Sequence, residues 1–440
     1  MAHGSILYIT LGCAKNEVDT DRMRALLNGA GYDEVFSAED ADAVIINTCS
    51  FLASATSESI ETTLTLAEEI SEGVRGTRIV MCGCVPSRYG SELPDELPEV
   101  AAFVRTDEED GIVSVMDEVL GVERVDPPFI PSVKRTVESA VAYVKISDGC
   151  DRYCSFCAIP YIRGRYHSRS AESILSEVRD LVAGGVREIV LIGQDTGIWG
   201  TDFKDEVDGP TNLAQLMIAV AEVVRPEHVW IRVLYLQPEG MTDELIAAIR
   251  DTPEVLPYID IPVQHCNARV LKAMHRSGSA EQLSDLFAKL RAEIPAMVIR
   301  TTSLVGFPGE TDEEAAEMLA FMDREGFDYT SVFPYSQAAK MDGQVDVDVK
   351  LERTQAAMDL AEALGFAATA AHVGEVAEVI VDGIEETDEG PELIGHAWFQ
   401  APDSDGAVHL EVTDAAVGDI LQVKFTDSFC YELVGEVVEE

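Results

Sequence analysis

Hydrophobic residues in the first 125 positions come in short β-branched runs, separated by longer stretches with helical spacing. Ile6-Leu7-Tyr8-Ile9 is followed by a helical pattern near Thr20–Gly29, and Ala43-Val44-Ile45-Ile46 by another from about Ser54 to Ser71. Ile79-Val80-Met81 then leads into a third near Arg88. Strand and helix alternating in this way predict parallel strands in an open sheet, an α/β domain over residues 1–125. The Pro-rich run Asp126-Pro127-Pro128-Phe129-Ile130-Pro131 reads as a linker, taken as 126–139.

The alternation resumes after the linker. Strands are predicted at Ala140–Ile146, Glu188–Ile192, Val229–Leu234, Tyr258–Pro262, Val298–Val305 and Tyr329–Phe333. Between and after them lie helical patterns at Ala171–Ala183, Leu213–Val224, Thr242–Asp251, around Arg269, Glu281–Glu293 and Glu313–Glu325. Six such strand–helix units predict a full or partial β/α barrel over 140–368. Near Ala367 the period changes. Short runs at Val376–Val381, Leu393–Trp398, Val408–Val412, Ile420–Phe425 and Leu433–Val437, broken by Gly and Asp turns, predict a small antiparallel barrel of the OB type over 369–440.

Charge narrows the partners. The 440-residue chain carries 80 acidic and 32 basic residues, a net charge of −48. Such a surface repels phosphate backbones and disfavours broad RNA or DNA binding. It suits a basic partner, although a general adaptation of the source proteome to salt gives the same signature. No apolar run has membrane-spanning length, and Met1-Ala-His-Gly-Ser lacks the basic start of a secretory signal, so a cytoplasmic protein is expected.

The nine cysteines carry the candidate chemistry. Cys150, Cys154 and Cys157 stand in Ser147-Asp-Gly-Cys-Asp-Arg-Tyr-Cys-Ser-Phe-Cys157, on a loop after a predicted strand. Three thiolates so close suit three irons of a 4Fe–4S cluster and leave the fourth iron open. A zinc site usually has four ligands and no second half follows; a redox pair at Cys154 and Cys157 would leave Cys150 unused. Both remain alternatives on spacing alone. Cys13, Cys49 and Cys84 are far apart in sequence, yet each follows a predicted parallel strand in a Gly- or Asn-bearing turn. Strand carboxyl ends share one edge of such a sheet, where ligands bind, so a second three-cysteine site is expected; three buried inert thiols are the other reading. Cys82 lies two residues from Cys84 and a period of two would point both to one face, but Gly83 makes Cys84 the better ligand. Cys266 and Cys430 read as packing residues.

These motifs together resemble the radical S-adenosylmethionine (SAM) methylthiotransferases along essentially the whole chain. Gly12-Cys13-Ala14-Lys15-Asn16, Asn47-Thr48-Cys49 and Gly83-Cys84-Val85-Pro86-Ser87-Arg88-Tyr89 are similar to that family's first domain. Cys150 to Cys157 with Ile159-Pro160-Tyr161-Ile162-Arg163-Gly164 and Ser168-Arg169 resemble its cluster loop, and Val305-Gly306-Phe307-Pro308-Gly309-Glu310-Thr311 a further signature. The resemblance implies a flavodoxin-like first domain, a central radical SAM partial TIM barrel and a C-terminal TRAM barrel. One branch of the family modifies adenosine in transfer RNA. The other, RimO-like, modifies an aspartate of small-subunit ribosomal protein twelve. Gly193-Gln194-Asp195-Thr196 and Tyr258-Ile259-Asp260-Ile261-Pro262-Val263-Gln264-His265 look like the second. So does the charge of residues 371–440, where 18 acidic residues face one basic residue, Lys424; a barrel gripping RNA needs a positive groove.

The resemblance further implies two 4Fe–4S clusters. Cys150, Cys154 and Cys157 would hold the one that binds and cleaves SAM; Cys13, Cys49 and Cys84 would hold the one that carries the sulfur. Phe156, Gly306, Phe307, Pro308 and Gly309 would contact SAM, the other readings being a core aromatic for Phe156 and a plain tight turn for the rest. Arg163 and Arg169 are candidates to hold the acceptor carboxylate, with a solvated or structural role as the alternative for either. One SAM would methylate the sulfur, and a second would supply the radical that removes hydrogen from the aspartate β-carbon. The implied partners are the ribosomal protein, possible on the small subunit, and a reductant such as a flavodoxin or ferredoxin; the sulfur donor is not indicated. Departures from the family pattern are Asp151 in place of Asn, Tyr335-Ser336-Gln337-Ala338-Ala339-Lys340-Met341 without Gly-Thr, and Cys266 in place of a small residue.

Overall fold

The computed structural model describes residues 3–73, 76–123, 134–204, 208–336, 341–387, 390–412 and 414–438. Most of the expected linker, and Gln337–Lys340, lie outside the described residues. The chain forms two compact units. One comprises Met1–Thr136 with Asp148–Tyr153 and Cys157–His167; the other comprises Val137–Ser147, Cys154–Phe156 and Ser168–Glu440.

In the first unit β1 (Ser5–Thr10), β2 (Asp33–Glu34), β3 (Ala43–Thr48), β4 (Arg78–Gly83) and β5 (Val100–Arg105) form one sheet in the order β2-β1-β3-β4-β5. Every pair is parallel, which is the flavodoxin-like order. Strand β3 is buried throughout because helices cover both faces, and a strand so enclosed is apolar without alternation. Ile45 packs with Ile6, Met23 and Val80 on one side, while Val44 and Ile46 pack with Leu66 and Met81 on the other. The first helix runs Ala14–Gly29 and starts six residues before the expected position. Its first turns bury Lys15, Asn16, Asp19 and Thr20, polar residues that a search for apolar spacing passes over. Strands β2 and β5 were also not anticipated; one is two residues long and the other holds Ala101 and Ala102, poor strand formers.

The second unit is built on β6 (Val141–Lys145), β9 (Glu188–Ile192), β10 (Trp230–Val233), β11 (Val255–Asp260), β12 (Val298–Val305) and β13 (Tyr329–Pro334); two-residue strands β7 (Ser147–Asp148) and β8 (His167–Ser168) flank the cysteine run. The six run parallel in the order β13-β12-β11-β10-β9-β6. The ends are not joined, so this is a partial barrel. Ser170, Asn212, Thr242, Ser279 and Thr311 each cap the following helix through the side chain, satisfying amides that the first helical turn leaves open. A helix at Val347–Ala371 packs on β13. Its buried residues are Thr354, Ala357, Ala361, Gly365 and Thr369, small side chains that leave no apolar stripe to read.

Strands β14 (Val376–Thr387), β15 (Gly390–Ala397), β16 (Val408–Glu411), β17 (Ile420–Phe429) and β18 (Glu432–Val437) close into a barrel ordered β14-β15-β16-β18-β17. This is the small, mostly antiparallel barrel expected; at one seam β16 and β18 pair in parallel, Val408 opposite Leu433. A closed ring with an odd number of strands requires at least one parallel pair.

Buried charge joins this barrel to the parallel sheet. Glu188 receives Arg232 Nε at 2.6 Å and His396 Nε2 at 2.9 Å, while His396 Nδ1 meets Asp382 at 2.7 Å. Burial disfavours protonation of His396, but Asp382 and Glu188 outweigh it and raise the imidazole pKa to about 9. Burial also opposes ionisation of Glu188, yet Arg232 and His396 bring it down to about 2. A raised imidazole stabilises the fold fully below its ordinary pKa, about 6.5, and the contribution fades as pH rises through the folded value. Urea unfolding followed by tryptophan emission, with Trp230 6.1 Å from His396, is therefore expected to weaken by roughly 3 kcal/mol between pH 6.5 and pH 10. His396→Gln should flatten that dependence; an unchanged slope would refute the assignment.

Candidate metal centre

Three turns at the carboxyl edge of the first sheet carry Cys13, Cys49 and Cys84. Cys13 is the N-cap of the first helix, Cys49 follows β3, and Cys84 opens the short helix Cys84–Tyr89 after β4. Asn16 lies among them. Its Oδ1 is 3.9 Å from Cys13 Sγ and 4.0 Å from Cys84 Sγ, while its Nδ2 donates to Leu11 O at 2.8 Å and Thr48 O at 2.9 Å. One amide thus ties the first turn to the second. Cys49 is held by Ser59, whose Oγ accepts from the Cys49 amide at 3.1 Å and donates to its carbonyl at 3.0 Å.

Backbone shape makes this crowding workable. Gly12 has φ +104°, and a Cβ there would sit 2.6 Å from Cys49 Cβ and 3.0 Å from its sulfur. Gly83 has φ +91°, and a Cβ there would strike Asn47 Oδ1 and lie 2.9 Å from Thr48 O. Glycine tolerates both demands. The turn at Gly83 also corrects one expectation. Cys82 ends inside β4, fully buried among Ile6, Ile45 and Val80, so it does not share a face with Cys84.

Arg163 supplies the positive charge. Its Nη1 donates to Asp19 at 2.9 Å and Asp148 at 3.4 Å; its Nη2 donates to Asn16 Oδ1 at 2.9 Å and lies 4.0 Å from Cys84 Sγ. With both terminal nitrogens engaged in the protein interior, Arg163 has the structural role that was the alternative to holding an acceptor carboxylate. Arg169 is likewise engaged, by Lys145 O, Ser173 and Glu177. Burial pushes the Cys84 thiol up to about 12 against the pull of Arg163, and burial raises Cys49 as well. A metal bound by these thiols would have to displace their protons, and Arg163 would then offset the thiolate charge.

Among the described residues no three His, Cys, Asp or Glu side chains converge as ligands of one ion. A 4Fe–4S cubane instead distributes its cysteines over different irons. An all-thiol donor set, glycines at the closest approaches and a buried guanidinium fit such a cluster.

The second cysteine set is close by covalent necessity, within eight residues. Cys150 is buried and its amide donates to Gly164 O at 3.2 Å; Cys154 and Cys157 are half-buried. Asp151 is paired with Arg165 at 2.8 Å, whose hydrogen bond keeps its carboxyl below the usual range, so the departure from Asn is locally compensated. In the second unit Phe156 packs against a cluster containing Val270, Met274, Leu304, Phe307 and Tyr335. Gly306 and Phe307 donate their amides to Glu310 Oε2 at 2.9 and 3.2 Å. A Cβ on Gly306 would meet Lys350 Cγ at 2.5 Å, so that glycine is required by packing whatever else approaches it. Pro308 is buried and Gly309 exposed. Cys266 sits in the core, but Cys430 is exposed in a turn, correcting its reading as a packing residue.

Sequence reasoning missed the roles of Asn16 and Asp19. Both are polar residues on a face of the first helix that is buried, and a polar side chain on an inward face is the signal that would have marked them.

Three family models match: Uncharacterized protein family UPF0004 over residues 5–105, the Radical SAM superfamily over 144–322, and the TRAM domain over 373–438. Among curated relatives, ribosomal protein uS12 methylthiotransferase RimO of Geobacter sulfurreducens is 40% identical over 451 residues, covering 99% of each chain. The protein of that name from Pelobacter propionicus is 39% identical over 445 residues, covering 98% of this chain and 97% of its own. Among solved structures, the radical SAM methyltransferase TsrM of Kitasatospora setae, with cobalamin and a [4Fe-4S] cluster bound, shares the fold at TM-score 0.55 and 14% identity, over 76% of this chain and 75% of its own. Near-complete coverage at this identity means that the chain belongs to the RimO family of methylthiotransferases, enzymes of the radical SAM superfamily.

Proposed function

We propose that this enzyme methylthiolates the β-carbon of an aspartate in ribosomal protein uS12, with SAM and two 4Fe–4S clusters. The observation that carries the reading is the gathering of Cys13 and Cys84 about Asn16, with Cys49 against Gly12, at the edge of a flavodoxin-like sheet. A radical SAM enzyme that only cleaves its cofactor has no use for a second thiol set. We assign residues 1–125 to the sulfur-carrying domain, 140–368 to the radical SAM barrel and 369–440 to the TRAM barrel.

Cys150, Cys154 and Cys157 would hold the SAM cluster, and Cys13, Cys49 and Cys84 the auxiliary one. When bound, these groups supply reductive SAM cleavage and a deliverable sulfur. The residues' own tasks are more local. Asn16 fixes the spacing of two thiol-bearing turns, and Arg163 offsets thiolate charge from the buried side. Phe156, Gly306, Phe307, Pro308 and Gly309 would form the apolar wall that keeps SAM from water, with Glu310 holding the turn in shape. The acidity of 371–440 supports a basic protein acceptor over RNA. The reaction needs a low-potential donor of the flavodoxin or ferredoxin class and belongs in the cytoplasm, where ribosomal proteins are made; among the described residues no helix is long and apolar enough to cross a membrane.

The test is mass spectrometry of products from reconstituted enzyme given SAM, reductant, a sulfide source and either uS12 or transfer RNA. One methylthio group is expected on an aspartate-containing peptide of uS12. Modified adenosine with unaltered uS12 would defeat the proposal.

A further inference from the structure

Arg163 belongs by sequence to one cysteine set and by position to the other. It follows Cys157 by six residues, directly after the short helix Ile159–Ile162. The backbone around it is tied back to the first thiol of that run, since the Cys150 amide donates to Gly164 O at 3.2 Å. Its side chain, 2% exposed, nevertheless ends among the turns that carry Cys13 and Cys84. All of these residues lie in the first unit.

A guanidinium is planar, and its donors point in fixed directions. Nη1 is taken up by Asp19 and Asp148 at 2.9 and 3.4 Å. Nη2 carries two hydrogens. One goes to Asn16 Oδ1 at 2.9 Å, and the other has Cys84 Sγ as its acceptor at 4.0 Å. Asn16 is itself held by Leu11 O and Thr48 O, so this edge of the guanidinium is fixed towards the sulfur. A charged acceptor makes such a bond about twice as strong as a neutral one.

The arrangement does more than offset charge. Asp19 and Asp148 together answer the cation, so the group as a whole is not positive. What reaches Cys84 is a directed N–H. Hydrogen bonds to cysteine sulfurs help to set a cluster's reduction potential, because the reduced form puts more charge on its sulfurs and gains more from each donor. We propose that Arg163 raises the reduction potential of the cluster held at Cys84, so that the loop bearing Cys150 and Cys157 tunes the other thiol site. This role rests on the auxiliary cluster of the proposed function, and it makes Arg163 a positioning residue that acts through Cys84.

The test uses full-length Cys154→Ala protein, reconstituted with iron and sulfide so that the auxiliary cluster is observed by itself. Its redox titration, followed by electron paramagnetic resonance, is compared with that of the same protein carrying Arg163→Lys, or Arg163→Leu together with Asp19→Asn. Both changes keep the net charge and remove the guanidinium. Each should lower the equilibrium constant for one-electron reduction about tenfold, which is about 59 mV. An effect of net charge alone would leave both unshifted. With 15N-arginine, pulsed resonance of the reduced cluster should show a nitrogen coupling that disappears in R163K. Arg88, whose Nη1 donates to Ser50 O at 2.6 Å beside Cys49, is the other source of such a signal. A coupling retained in R163K would belong to Arg88 and overturn the proposal. Unchanged equilibrium constants at about four irons per chain would overturn it too, while leaving the auxiliary cluster in place. An iron-free Cys154→Ala protein would remove the auxiliary site and the proposal with it.

Discussion

Cys49→Ala protein, reconstituted with iron and sulfide, is expected to hold about four irons per chain where the parent holds about eight. It should still cleave SAM to 5′-deoxyadenosine and methionine, yet leave uS12 unmodified. Cys154→Ala should also hold about four irons but should lose SAM cleavage altogether. The contrast follows from the two thiol sets. Cys49 is pinned by both hydrogen bonds to Ser59 and lies against Gly12, so removing its sulfur would take the proposed ligand from a turn that is held in place. Cys82 is the obvious substitute by sequence, but it is sealed in the core. Iron content measured with product analysis decides the matter. Full iron loading of C49A, or methylthiolation surviving in it, would remove Cys49 from the auxiliary site.

The second large effect concerns Arg163. Replacing it with Leu takes from Asp19, whose side chain is 3% exposed, the guanidinium that lies 2.9 Å away in the interior. Breaking a buried pair in this way costs about 3–5 kcal/mol, far above the ~0–1 kcal/mol of an exposed ion pair. Hydrogen exchange of the helix Ala14–Gly29 is the suitable readout, because the chain's three tryptophans, Trp199, Trp230 and Trp398, all belong to the second unit. Protection of that helix should fall by the stated amount in R163L and largely return in the double variant with Asp19→Asn, since the carboxylate charge that Arg163 offset is then gone. A loss below about 1 kcal/mol would place Arg163 among the weak surface pairs. Auxiliary iron should also be lost faster from R163L, as the thiolates near Cys84 lose their nearest positive charge.

Much of the architecture was legible in the chain. The alternation of β-branched runs with helical spacing announced two parallel sheets, and the change of period near Ala367 announced the last barrel. What the periodicity could not reveal shares a physical character. The start of the first helix was missed because its inward face is polar: Asn16, Asp19 and Thr20 are buried to build a site rather than a core. The helix Val347–Ala371 was missed because it packs through Ala, Gly and Thr, which carry little hydrophobic signal yet permit contacts such as that of Tyr431 OH with Ala361 O at 3.1 Å. The parallel seam between β16 and β18 is a matter of closure, which local sequence does not encode.

By itself the sequence determined the cysteine run from Cys150 to Cys157, because eight covalently linked residues cannot place those thiols far apart. It also determined which strands end in Gly- and Asn-bearing turns. Only the tertiary structure decided that Cys13, Cys49 and Cys84 share one edge, that Cys82 is excluded, and that Arg163 is locked among Asp19, Asp148 and Asn16 instead of waiting for a substrate. The reason is reach: periodicity reports which way a side chain faces within its own element, whereas a site assembled from separate turns depends on strand order, and strand order is set by packing across the whole sheet.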